Sequence, residues 1–425
     1  MPDVPTTTGF PRLTYLRIKN YRALRDVELR DLTPLTVLIG PNGSGKSTVL
    51  DALAFLAEAV SGNLQQAWEK RNRFAGMRTR GQEGPIEFEV RIKVEPEVAL
   101  IYLLAVDEYN GSCWVVDEVM EQRDKGITQQ VFKLTHRGLV RIEDERLRMI
   151  QGTPPNNYDI SYGGVEGFAR ASSKHPWLFH SAYSEGIMDF DSGLTQVEFQ
   201  VARLLTSYRY IHLTDDHLKG YSDAGPREKL SANGDNLPNV LYYLHTKHPE
   251  ALARISEQLR RWVPGLAEVV MESTSDERLL LRFRDAPFEK PLPAQYMSDG
   301  TMRLAALLTL LYEPNATGLL GIEEPENELH PRLLPRLAEE LIQATETRQL
   351  LVATHSPALL NSMEPEQVWI LHRGADGYTQ ASRVADMPDI VAMVEEGSPL
   401  GYLWSRNFFE VGDPLASPSA TPTQE

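Results

Sequence analysis

The feature that most constrains this chain is the run Gly40-Pro41-Asn42-Gly43-Ser44-Gly45-Lys46-Ser47-Thr48. It reads as glycine, four residues, then Gly-Lys-Ser, and it stands between the apolar run Leu35 to Ile39 and an amphipathic stretch from Lys46 to about Glu58. A buried strand, a glycine-rich turn and a helix in that order form a phosphate loop. Glycines let the backbone curl so that several N–H groups point inward at phosphate oxygens. The positive end of the following helix adds to that field. Lys46 can reach the β- and γ-phosphates of a nucleotide, and Ser47 can ligand Mg²⁺. The expected fold class is α/β, a P-loop architecture with parallel core strands that end in the chemistry.

Two further apolar runs end in polar turns. Gly318-Leu319-Leu320-Gly321-Ile322 runs into Glu323-Glu324-Pro325. Glu323 is placed to hold Mg²⁺, and Glu324 to orient or deprotonate an attacking water. Leu351-Val352-Ala353 runs into Thr354-His355-Ser356-Pro357. His355 can contact a γ-phosphate and respond to its loss. A fourth motif, Met297-Ser298-Asp299-Gly300-Thr301, precedes an apolar helix, and Ser298 suits its N-cap.

Around these motifs the pattern predicts strands at Leu13 to Ile18, Asp26 to Leu29, Ile86 to Val94, Leu100 to Val106 and Val131 to Leu134. Arg71, Arg73, Arg78 and Arg80 read as a polar connecting stretch, and Gly152 to Ser173 as loop. Helical spacing covers Thr195 to Ser207, Leu237 to Leu244 and Ala251 to Val263, with strands at Tyr208 to Leu213, Val269 to Met271 and Leu279 to Phe283.

With the motifs in view, the chain resembles ABC-type ATPases of the RecF, Rad50 and SMC class, more closely the stand-alone RecF-like ATPases and the ATPase half of OLD-family nucleases. The resemblance is carried by Leu16 to Arg22, the phosphate loop, Ser298 to Thr301, Ile322 to Pro331 and Thr354 to Pro357, with a weaker match at Asn233 to Leu237. It implies a mixed sheet flanked by helices and a set of roles. Gly40 to Thr48 is the Walker A loop, Glu323 the Walker B acid and Glu324 the catalytic glutamate. Asn327 to His330 is the D-loop. Ser298, Asp299 and Gly300 form the signature, which in this class touches the γ-phosphate of ATP held by the opposite head, so a homodimer that sandwiches ATP is expected. Gln82 is the candidate Q-loop ligand to Mg²⁺, and Asn20 and Arg22 are candidates to lie near the base or ribose.

Three departures stand out. The Walker B acid is Glu instead of Asp. The signature reads Ser-Asp-Gly-Thr, which puts Asp299 near phosphate. The interval that holds a long coiled coil in Rad50 and SMC proteins carries mixed strands and helices here. The expected organisation is therefore a head made of residues 12–94 and 290–385, an inserted α+β region at 95–289, a short helical segment at 386–411 and a disordered tail at 412–425. About fifty residues follow the Val368 strand, too few for a C-terminal nuclease domain of the OLD type.

Composition narrows the partners. Apolar residues make up 42% and charged residues 24%, as in ordinary globular proteins. The net charge of -16 argues against a passive DNA coat. Double-stranded DNA nonetheless remains an expected partner by resemblance, as does a separately encoded nuclease or effector. Arg254, Arg260 and Arg261, with Trp262, make the best local basic cluster. Trp177, Phe179 and Tyr183 are candidate base-stacking aromatics more readily read as buried. His245 with His248 reads as surface histidines, Asp215-Asp216-His217 as a polar loop, and Asp386, Asp389, Glu395 and Glu396 as a solvated face. Cys113 is the one cysteine, so no intrachain disulfide can form, which fits the cytoplasm. No apolar run reaches the roughly 18–20 residues of a membrane span.

Overall fold

The computed structural model describes residues 10–413 apart from 96, 110, 126, 136–137, 144–145, 150–192, 221, 224 and 274–277. The loop expected at Gly152 to Ser173, the aromatics Trp177, Phe179 and Tyr183, and the tail from residue 414 lie outside the described residues.

The chain opens with an antiparallel pair, β1 (Arg12–Tyr21) and β2 (Leu24–Leu29), then enters the interior as β3 (Leu35–Ile39). Helix α1 (Lys46–Glu58) follows the phosphate loop. Beyond it come α2 (Leu64–Lys70) and α3 (Arg73–Met77), where the sequence pattern suggested a polar connection. Strands β4 (Ile86–Lys93), β5 (Val98–Tyr109), β6 (Ser112–Asp124), β7 (Ile127–Thr135), β8 (Gly138–Glu143) and β9 (Arg146–Met149) then add in turn beside β1. They complete an antiparallel sheet of eight strands in the order β2-β1-β4-β5-β6-β7-β8-β9.

Helix α4 (Gly193–Thr206) and the short β10 (Arg209–Ile211) return the chain to the interior. A smaller unit follows: α5 (Asp215–Leu218), β11 (Ser222–Asp223), α6 (Leu237–Lys247), α7 (Pro249–Trp262), β12 (Leu266–Ser273), β13 (Arg278–Asp285) and β14 (Leu292–Pro293). Its strands pair antiparallel around β13. The last part supplies α8 (Asp299–Leu311), β15 (Gly318–Glu323), α9 (Leu334–Ala344), β16 (Arg348–Thr354) and α10 (Pro357–Leu360). It closes with β17 (Val368–Arg373), β18 (Thr379–Arg383), α11 (Pro388–Glu395) and α12 (Leu400–Ser405).

The central sheet runs β10-β15-β16-β3-β17-β18, and its first five strands are parallel. Every residue of β3 and β16 is buried, which explains their unbroken apolar runs: both faces are covered. Leu38, Leu351, Ala353 and Leu371 pack with α1, α4 and the eight-stranded sheet. Their neighbours Val37, Ile39, Val352 and Ile370 pack on the other face with α6 to α9. One buried amide joins the two sheets. Gln349 of β16 donates Nε2 to Leu13 O at 2.7 Å and accepts from Leu13 N through Oε1 at 2.8 Å.

Strands β5 to β9 extend the sheet begun by β1, and β10 is an edge of the central sheet. Among the described residues the longest helices have 14 residues, and no helix is long and apolar enough to cross a membrane.

Candidate nucleotide site

Three parallel strands, β3, β15 and β16, end side by side, and their C-terminal turns build the site. At the end of β3 the chain has no room for a side chain at Gly40, where a Cβ would lie 2.0 Å from Leu371 O. Gly45 sits at φ 108° as the N-cap of α1 and offers no side-chain cap, so the first-turn N–H groups stay available to an anion. The hairpin of β17 and β18 braces the loop from outside: Arg373 Nε donates to Gly43 O at 2.8 Å and Thr379 Oγ1 to Ser44 O at 2.8 Å. Lys46 lies inside, donating Nζ to Gly40 O at 2.9 Å and Pro41 O at 3.1 Å. Burial lowers its pKa to about 8, against the opposing pull of Glu324, Glu323 and Glu326. Asn42, Gly43 and Ser47 are exposed at the mouth, with Pro41 and Thr48 half-buried.

Strand β15 delivers Glu323 against the loop, where Ser47 Oγ donates to its Oε1. The other oxygen, Oε2, accepts from the Tyr210 hydroxyl and stands 3.0 Å from His212 Nδ1. Burial alone would raise the Glu323 pKa. Hydrogen bonds from His212, Ser47 and Tyr210 together outweigh it and hold the carboxyl at about 2. The same contact with Glu323 raises His212, and burial keeps the Tyr210 phenol protonated. Ser47 and Glu323 thus present two hard oxygens at one point, a donor set that fits Mg²⁺. Tyr210 and His212 have no motif of their own. Tyr210 lies on β10 and His212 directly past its end, and the pairing of β10 with β15 brings both to Glu323.

Glu324 occupies a left-handed backbone conformation at φ 44°, with its N–H still bonded to Ala353 O at 2.8 Å. Its Oε2 accepts from Asn327 Nδ2 at 2.5 Å, and Oε1 lies 3.5 Å from His355 Nε2. Burial lowers the His355 pKa, and the Lys46 charge lowers it further, so the imidazole is held neutral beside the carboxylate. Glu326 anchors this turn: its Oε1 accepts from Thr354 Oγ1 and from His355 N, the latter at 3.0 Å.

The signature turn lies at the head of α8. Ser298 caps it, accepting from Thr301 N at 3.2 Å. Gly300 rests on the D-loop, where a Cβ would come 2.4 Å from Glu328 O. Asp299 is paired with Lys219 Nζ at 2.5 Å.

Not every candidate converges on this site. Asn20 is 4% exposed and its amide is engaged: Nδ2 donates to Glu83 O, Gly84 O and Pro85 O, and Oδ1 accepts from Thr79 N. It closes the loop before β4. Arg22 pairs with Asp51 at 2.9 Å and donates to Gly76 O at 3.2 Å. Gln82 is exposed on the loop before β4, its N–H bonded to Thr79 O. In the basic cluster, Trp262 is buried, Arg261 pairs with Glu257, and Arg254 lies over the Tyr312 ring at 4.7 Å. His248 contacts Glu250 and Tyr243, and His217 bonds Thr214.

The family model described as "AAA domain, putative AbiEii toxin, Type IV TA system" matches residues 35–361. The chain is 23% identical over 369 residues to "Retron Vc95 probable ATPase" of Vibrio cholerae serotype O1 biovar El Tor, covering 79% of this chain and 68% of that protein. It is 21% identical over 415 residues to "Retron Ec83 probable ATPase" of Escherichia coli, covering 86% and 72%. Among solved structures, "Crystal structure of the SmcHead bound to the C-winged helix domain of ScpA" aligns at TM-score 0.47 and 12% identity over 87% of this chain and 97% of that one. The chain belongs to the family of that AAA-domain model.

Proposed function

We propose that the chain binds Mg-ATP in the phosphate loop, closes on it as a pair of heads, and hydrolyses it to open again. The observation that carries this reading is the meeting of Lys46, Ser47, Glu323, Glu324 and His355 at the ends of three adjacent parallel strands. Loop N–H groups and Lys46 cradle the β- and γ-phosphates. Ser47 and Glu323 would hold Mg²⁺, which would supply neutralising charge on the phosphate oxygens. Glu324, steadied by Asn327, orients water and takes its proton on the carboxylate. His355 meets the γ-phosphate and responds to its loss. The partner head completes each site with Ser298 and its neighbours. ATP is in this way a switch on shape.

In our reading the switch works in the cytoplasm, in defence against foreign DNA or in DNA repair, together with a separately encoded nuclease or effector. Likeness to retron ATPases supports the defence arm. A second reading, an ATP-gated regulator of a partner protein with no DNA contact, is favoured by the net charge of -16 and by the partnered arginines of α7. ATP turnover with and without linear double-stranded DNA separates them. Glu324→Gln is expected to lower turnover at least about 100-fold. Stimulation of the unaltered chain by DNA supports the first reading, and DNA-independent turnover the second. Full turnover in Glu324→Gln would remove the glutamate from the mechanism.

A further inference from the structure

The signature turn carries a charge that its proposed task should not tolerate. Asp299 follows Ser298 directly, and its side chain is 45% exposed. In a two-head complex this turn approaches the triphosphate of the other copy, where a carboxylate repels phosphate oxygens. The fold answers with a cation from far earlier in the chain. Lys219 Nζ stands 2.5 Å from Asp299 Oδ1. Lys219 is placed by α5, which packs on α8. Its neighbour Leu218 is fixed in the core against Gly234, where an added Cβ would come 2.4 Å from Leu218 Cδ2. The Lys219 side chain is partly open, at 27% exposure. An ammonium has three N–H donors, and the contact with Asp299 uses one.

We infer that Lys219 completes the signature: oriented by Asp299, it donates to the γ-phosphate oxygens of ATP bound by the other copy. The inference rests on the two-head reading above. Asp299 is then the holder of a lysine, and the acid in this signature becomes a way of bringing a positive charge to the partner's nucleotide. The competing account is that Lys219 only cancels the charge of Asp299.

The test is molar mass by light scattering against Mg-ATP concentration, in a Glu324→Gln background that retains ATP. The parent is expected to dimerise. Lys219→Ala should need at least about tenfold more ATP to do so, the usual cost of a charge-assisted hydrogen bond. Lys219→Arg should stay within a few-fold of the parent. The double variant Lys219→Ala/Asp299→Asn should remain as weak as Lys219→Ala. Recovery in the double variant would reduce Lys219 to charge cancellation and overturn the proposal, as would parent-like dimerisation by Lys219→Ala. Binding of a fluorescent ATP analogue to each monomer should be unchanged. Its loss in Lys219→Ala would put the lysine in its own head's site and also overturn the proposal. A parent that binds Mg-ATP and stays monomeric would end the two-head reading itself.

Discussion

Glu324 is held at φ 44°, a left-handed conformation that costs a non-glycine residue about 1–3 kcal/mol. Hydrogen bonds on both sides impose it, from its N–H to Ala353 O and from Asn327 to its carboxylate. Glu324, Lys46, Ser47 and His355 were legible in the sequence because each sits beside an apolar run, so motif and strand end mark each other. For Asn20 the sequence could not show that its amide holds the loop before β4, whose course depends on that strand. Tyr210 and His212 left no signal, since their partner Glu323 is more than a hundred residues away and only strand pairing brings them together. They steady the Glu323 carboxylate. Tyr210→Phe with His212→Ala is therefore expected to raise the Mg²⁺ concentration for half-maximal ATP turnover by about 10-fold or more, as loss of outer-shell partners does at other metal sites. A Mg²⁺ titration of turnover at saturating ATP would measure it, and an unchanged midpoint would leave these two residues a structural role only.

At the scale of elements, the stretch after α1 shows how charge can mislead. Arg71, Arg73 and Arg78 look like a polar connection, yet α2 packs back on α1 and buries Arg71 to 6% exposure. Its Nε meets Asp51 at 3.0 Å, its guanidinium meets Glu58 at 2.6 Å, and it donates to Ala67 O at 3.0 Å. Tyr21 adds a hydrogen bond to Asp51 at 2.6 Å, so α1 is tied at once to α2 and to β1. Arg78 likewise pairs with Asp107 of β5. Arg71→Ala would leave two carboxylates facing a cavity. The expected loss is about 2–3 kcal/mol of stability, below the figure for a fully buried pair because Glu58 is 31% exposed. A fall in thermal midpoint on calorimetry would check it. A midpoint equal to the parent's would show that water replaces the arginine at little cost.

At the scale of the whole molecule, the phosphate loop is made by β3 and α1 but braced by β17 and β18, which lie more than three hundred residues further along. Nucleotide binding should accordingly stabilise the protein as a whole. Mg-ATP at about 100 times its dissociation constant is expected to add about 2.7 kcal/mol to unfolding. The rise should vanish in Lys46→Ala and shrink when EDTA removes the metal, in a thermal-shift series on all three samples. A stabilisation that survives Lys46→Ala would place the nucleotide elsewhere. The sequence by itself determined the buried parallel strands, the loop and helix of the phosphate site, and the acids and histidine at the strand ends. Those features are local: apolar runs, glycine freedom and adjacent motifs are written in consecutive residues. Tertiary structure alone decided that β5 to β9, β10 and β11 to β13 fall in three different sheets, that Tyr210 and His212 support Glu323, and that Lys219 stands beside Asp299. Each of those is a contact between distant segments, set by which strands pair and which helices pack, and no short window of residues carries it.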